Sequence, residues 1–175
     1  MARTATELRD YSEGYVFRAP LGTALPTTAE GGFALIVTPG LWTEIGYVSP
    51  VKMTPKRDSN EIKGWAGRGA LGAIQTDVGG EISFGALQSN ATSAELWQGS
   101  SAGLSADVPM HYAWVVLALD GDDACVFTVT DGQAGQPAEL DFGSEDGLQW
   151  GVTIRCFEDA NGMFWRGPYF DAAVS

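Results

Sequence analysis

Apolar and polar side chains alternate through much of this chain in the two-residue rhythm of strands. From Ala73 to Gln88, Ile74, Thr76 and Val78 alternate with Gln75 and Asp77; Gly79-Gly80 reads as a turn, after which Glu81, Ser83 and Gly85 lie opposite Ile82, Phe84 and Ala86. That predicts a hairpin with one apolar and one polar face. Tyr112 to Leu119 is an unbroken apolar run, the signature of a central strand covered on both sides. Asp120-Gly121-Asp122-Asp123 predicts the turn into a partner strand, Ala124 to Thr130. Asp131 to Gly147 then reads as a surface loop, and Leu148 to Glu158 and, after an Asn161-Gly162 turn, Met163 to Phe170 read as the last two strands.

The first half is less regular. Residues 1–31 hold Pro20, Pro26 and little periodicity, so an N-terminal arm is expected, with at most a short strand around Tyr15 to Arg18. Trp42 to Ser49 alternates as a strand, and Pro50 and Pro55 place the following segment at a sheet edge, because proline donates no ladder hydrogen bond. Lys56 to Gly72 then reads as a long polar loop, the greater part of an extended segment 50–72; a solvated loop has no reason to display its Ile62 and Trp65. Asn90 to Trp97 is the one helix the pattern predicts, with Thr92-x-x-Glu95 fitting a capping box and Gly99 ending it.

Composition narrows the class. The 175 residues, 45% hydrophobic and with 23 glycines, suit a single mainly β domain spanning 1–175 and are too glycine-rich for a helical bundle. No run approaches the roughly 18 apolar residues of a membrane span, and Met1 to Phe17 lacks the apolar core of a signal peptide, so neither is expected. Cys125 and Cys156 sit in apolar runs and read as buried thiols.

The net charge of −12 argues against gripping a nucleic acid backbone. It is also unevenly spread: residues 1–88 carry nine acids and eight bases, and residues 89–175 carry thirteen acids against Arg155 and Arg166 alone. Lys52 to Arg68 holds five bases and two acids, so a basic segment is joined to an acidic remainder, a polarity that can orient self-association or simply be solvated surface.

Catalytic patterns are weak. Gly99-Ser100-Ser101-Ala102-Gly103 matches a nucleophile elbow, but it follows a helix, and just seven residues separate Gly103 from His111, the only histidine. Asp120-x-Asp122 opens like a calcium loop, yet Ala124 takes the third ligand position. One histidine and two cysteines 31 positions apart give no zinc spacing, and no phosphate-cradling glycine pattern is present, so no metal, cofactor or catalytic residue is expected. Six tryptophans admit a ligand-binding β-sandwich module; all but Trp65 lie in or beside expected elements, where packing is the commoner role.

Four blocks in order carry a resemblance: Phe17-Arg18-Ala19-Pro20-Leu21-Gly22-Thr23-Ala24-Leu25-Pro26-Thr27, Trp42-Thr43-Glu44-Ile45-Gly46-Tyr47-Val48-Ser49, Lys56-Arg57-Asp58-Ser59-Asn60-Glu61-Ile62-Lys63-Gly64-Trp65, and Ile74 to Asn90. Together they resemble the major tail proteins of long-tailed bacteriophages that infect actinobacteria and their relatives. The likeness covers roughly the first hundred residues well and the later strands in pattern alone.

The resemblance implies a β-sandwich or barrel-like tail tube fold with one short flanking helix, an N-terminal arm and a long loop between early strands. It implies a non-enzymatic virion protein, assembled in the host bacterial cytoplasm into stacked hexameric rings, the hollow tube that conducts DNA during ejection. Its partners would be further copies of itself, the tape measure, tail terminator and distal tail proteins, and DNA only in transit. A tube protein of a tail-derived particle such as a gene transfer agent fits the same blocks.

On that reading Phe17, Arg18, Lys52, Lys56, Arg57, Ile62, Lys63, Trp65 and Arg68 are candidate subunit contacts, combining charge that orients with apolar anchors that hold. Gln75, Asp77, Glu81 and Ser83 are candidates to face the lumen, where negative charge would keep DNA from sticking.

Overall fold

The computed structural model describes residues 13–63, 70–88, 90–99, 111–120, 123–134, 140–143 and 147–170. Among the described residues nine strands form one antiparallel sheet: β1 (Glu13–Pro20), β2 (Thr43–Glu44), β3 (Lys52–Lys63), β4 (Ala70–Ala86), β5 (His111–Asp120), β6 (Asp123–Ala134), β7 (Leu140–Gly143), β8 (Gly147–Phe157) and β9 (Arg166–Phe170). Two helices accompany them, α1 (Ala29–Val37) and α2 (Ala91–Gln98).

The sheet order β2-β1-β5-β6-β8-β4-β3 closes on itself, because its two end strands belong to one stretch of chain. Glu44 pairs with Phe17 of β1 and the Ile45 amide donates to the Val16 carbonyl at 2.9 Å. A few residues on, Val48 bridges to Ala86, the Ser49 amide donates to the Gly85 carbonyl at 2.7 Å, and Lys52 pairs with Ser83. Segment 43–63 therefore zips both seams of a barrel.

Inside lie Val16, Ile45, Ile82, Phe84, Leu96, Trp114, Val116, Val129, Val152 and Ile154. Trp114, fully buried, donates its indole N–H to the Gly132 carbonyl at 2.8 Å, and a Cβ at Gly132 would come within 2.6 Å of the indole. Outside the barrel wall, Phe17, Ala19, Trp42, Val115, Leu117, Leu119 and Val126 form a second apolar cluster roofed by α1. β5 sends Trp114 and Val116 inward and Val115 and Leu117 outward, so its unbroken apolar run is a strand covered on both faces, as the sequence predicts.

Several expectations are corrected. The described residues hold two helices rather than the one expected. Thr28 caps α1, its hydroxyl accepting from the Gly31 amide at 3.0 Å, and Gly31-Gly32 hides the helix from a propensity reading. Gly32 is there for packing: a Cβ would meet Val126 Cγ2 at 2.4 Å. The predicted α2 exists, but Asn90 caps it through the Ser93 amide, and Gly99 closes it at φ +80°.

Gly79-Gly80 does not turn. β4 runs straight through, with Lys56 opposite Gly79 and Pro55 opposite Gly80, and a Cβ at Gly80 would strike Trp165 at 2.2 Å. The glycine marks a close approach instead. Lys56 to Lys63 of the expected loop is strand β3, an edge strand that tolerates Pro55.

Of Trp42 to Ser49 only Thr43–Glu44 is strand, since Gly46 at φ +95° bends the chain toward the second seam. Asp131 to Ala134 continues β6, and β7 lies within the expected 131–147 loop. The arm assigned to 1–31 is mostly domain, because β1 is a core strand from Glu13 and α1 begins at Ala29; residues 1–12 lie outside the described residues. The Asn161-Gly162 turn is present, Gly162 taking φ +73°.

Candidate assembly surfaces

β8 supports β4 only from Gly80 to Ala86. From Lys56 opposite Gly79 out to Lys63 opposite Ala70, β3 and β4 have no third strand among the described residues. At about 3.4 Å per residue this two-stranded ribbon projects roughly 25 Å beyond the barrel. Register shifts between Asp58 and Ser59 and between Ile62 and Lys63 interrupt its ladder.

Cross-strand partners share a face, so Met53 with Ile82, Pro55 with Gly80 and Arg57 with Val78 lie on the side that continues the barrel interior. Ile82 is fully buried at the barrel, and further out Val78 is exposed at 42%, with Pro55 and Arg57 exposed beside it. The opposite face carries Lys52, Thr54 and Lys56 of β3, Glu81 and Ser83 of β4, and Thr153 and Arg155 of β8.

The nine expected contact residues divide. Phe17 is 1% exposed in the outer apolar cluster and has no surface to offer a neighbour. Arg18 is 8% exposed; its guanidinium donates to Glu95 of α2 at 2.6 Å and lies 4.7 Å over the Tyr112 ring, while Nη1 is buried with no partner. Tyr112 donates to the other Glu95 oxygen at 3.3 Å, and its burial raises the phenol above its ordinary range. The Arg18–Glu95–Tyr112 cluster is an internal strut between β1, β5 and α2. Lys52, Lys56 and Arg57 are exposed at the ribbon base. Ile62 and Lys63 are β3 positions whose side chains lie outside the described residues, as do Trp65 and Arg68 altogether.

Of the lumen candidates, Glu81 and Ser83 share one face; Gln75 and Asp77 are β4 positions whose side chains lie outside the described residues. Glu81 is ion-paired with Lys56, and Lys52 and Arg155 share its face, so the described part of this face carries more bases than acids. Electrostatic repulsion of DNA does not single it out.

The remaining chemistry is structural. Cys125 and Cys156 are buried thiols, and burial pushes Cys156 up to about 12. Asp159 organises the last turn: its Oδ1 accepts from the Asn161 and Met163 amides at 2.8 and 3.1 Å and its Oδ2 from Arg166 Nε at 2.9 Å. The Arg166 hydrogen bond, then the Met163 amide, hold its carboxyl at about 2. His111 faces Asp131 at 2.6 Å, and Ser101 of the elbow-like motif lies outside the described residues. No group of three or more His, Cys, Asp or Glu able to hold a metal occurs among the described residues. An apolar cavity of about 490 Å³ opens between β1, β5 and segment 48–53, lined by Val48, Val51, Met53, Val116 and Phe127 with Glu13 at its rim.

A family model described as phage tail tube protein matches residues 1–166. No curated protein matches the chain. Among solved structures, a chain of the anti-feeding prophage (AFP) baseplate, determined by cryo-EM with 6-fold symmetrisation, superposes at TM-score 0.44 and 12% identity, covering 85% of this chain and 91% of that one.

Proposed function

The chain belongs to the phage tail tube protein family, a structural component of the virion tail, and from that premise we propose that it works by self-assembly alone, its copies closing into hexameric rings that stack into a hollow tube conducting DNA during ejection. The observation that carries this reading is the β3–β4 ribbon. A two-stranded hairpin is marginal in water without a third strand or a packed face, and this one leaves its own subunit for roughly 25 Å. A neighbouring copy supplies the missing cover. Contacts between different patches on identical subunits close into rings or continue as filaments, and a stacked tube uses both. No chemical step is involved; the tape measure, tail terminator and distal tail proteins are the partners at the ends, and DNA passes through without being gripped.

Negative-stain electron microscopy of the purified protein at high concentration, with its mass in solution, tests the proposal. Six-fold rings or hollow tubes are expected, and Trp65→Ala, between the two ribbon strands in sequence, should abolish them while leaving the folded monomer. A protein that stays monomeric at every concentration and binds a sugar or peptide saturably would overturn it in favour of a ligand-binding module.

A further inference from the structure

A surface helix in a soluble protein normally turns one polar face to water. α1 does not. Ala29 and Gly32 face Val126 and the outer cluster, with Leu35 and Ile36 packed partly beneath, yet the opposite side presents Glu30, Phe33 and Val37 at the spacing of one helix face. Phe33 is 44% exposed and Val37 77%, and Leu41, just beyond the helix end, is 71% exposed. Glu30 is the helix's one charged side chain.

Phe33, Val37 and Leu41 together leave on the order of 350 Å² of exposed surface, within the range of the largest apolar patch a typical monomer shows. It is about half of what each partner buries in a stable complex of two. Such a contact is too small to hold a free dimer and suits a seat repeated on every copy of an assembly.

We propose that this face of α1 receives the core-side face of the β3–β4 ribbon of a second copy, an inference that rests on the self-assembly reading above. The match is one of chemistry. The ribbon face offers Pro55 and Val78, with exposed Arg57 directly opposite Val78 and two residues from Pro55; the helix offers Phe33 and Val37 with Glu30 one turn from Phe33. Apolar surface meets apolar surface, and the cation of one meets the carboxylate of the other. Two α1 faces pressed together would instead bring like charges into contact and, being a two-fold contact, would close after two copies. Helix and ribbon are different patches, so their contact leaves each copy with one free seat and one free ribbon.

Cross-linking tests it directly. One batch carries Val37→Cys, another Val78→Cys; the native thiols are buried, so the introduced ones react. The two are mixed at high concentration, oxidised mildly and analysed by intact mass. The mixed disulfide is expected to exceed both homodimers. Arg57→Glu in the Val78→Cys copy should lower its yield roughly fivefold, and Glu30→Lys in the Val37→Cys copy should restore it. Homodimers in excess, or no adduct, overturn the proposal. The same samples viewed in negative stain judge the tube separately. Tubes without the mixed disulfide leave the proposed function standing and refute this contact; the mixed disulfide without rings or tubes does the reverse.

Discussion

Removing Glu95 should harm the fold more than removing the arginine it pairs with. Arg18 is buried, with its side chain 10% exposed, and Glu95 is 29% exposed; they meet at 2.6 Å. Glu95→Ala deletes the only carboxylate at that guanidinium among the described residues and leaves a buried cation that already has one unpartnered nitrogen. Breaking a fully buried pair in this way costs about 3–5 kcal/mol; water reaching the Glu95 side reduces the expectation to about 2 kcal/mol. For a chain of 175 residues that is a fall in melting temperature of roughly 4–8 °C. Arg18→Met keeps the apolar stem, removes the orphaned nitrogen and leaves Glu95 hydrated and bonded by Tyr112, so it should cost under about 1 kcal/mol. Urea titration followed by tryptophan fluorescence measures both. If Arg18→Met is as destabilising as Glu95→Ala, the guanidinium is not the liability described; if neither changes stability but both block assembly, Arg18 is a subunit contact after all.

Three further outcomes are expected. Gly80→Ala should destabilise by about 1–3 kcal/mol, because its Cβ must displace Trp165, and a crystal structure should show that ring shifted; unchanged stability contradicts the close approach. Asp159 is held at about 2 in the folded protein, below its ordinary value near 3.8, so its contribution is complete above pH 4 and is lost as pH falls from 4 toward 2. Asp159→Asn should flatten that part of the stability-against-pH curve and leave a gap to wild type at neutral pH. Cys156, pushed up to about 12, and Cys125 should resist a thiol reagent at pH 8 until urea unfolds the protein; fast native labelling of two thiols would place them at the surface.

What the sequence made legible were the elements whose burial is written in their own side chains. β5 and β6 announce themselves because both faces of each are covered, and β8 because one of its faces is. The ribbon is hard to read for the complementary reason: Lys56 to Lys63 has no third strand beside it among the described residues and shows no apolar alternation in sequence, and Gly79-Gly80 next to it has the composition of a turn. α1 escaped because Gly32, poor for a helix, is what lets the helix approach Val126. Arg18 was placed outside because a basic residue reads as surface, and its carboxylate lies 77 positions away in sequence. The exposed bases Lys52, Lys56 and Arg57 were found, since charge needs no partner to be seen. The apolar seat on α1 was not, because its exposed side chains differ in no way from core residues until the fold shows which side faces out.

The barrel closes through a single stretch of chain that then becomes the first strand of the ribbon. Mechanically, that stretch is a strap. A pull on the ribbon along β3 is not borne by a flexible hinge; it passes down the backbone to the Ser49 and Ile45 amides, whose hydrogen bonds fasten the two seams. Load along the strands is shared by the Lys52 to Pro55 ladder before it reaches either seam, so those bonds must slide together rather than peel one at a time. The subunit thus has its stiffest resistance in the direction in which a neighbour holding the ribbon would draw it.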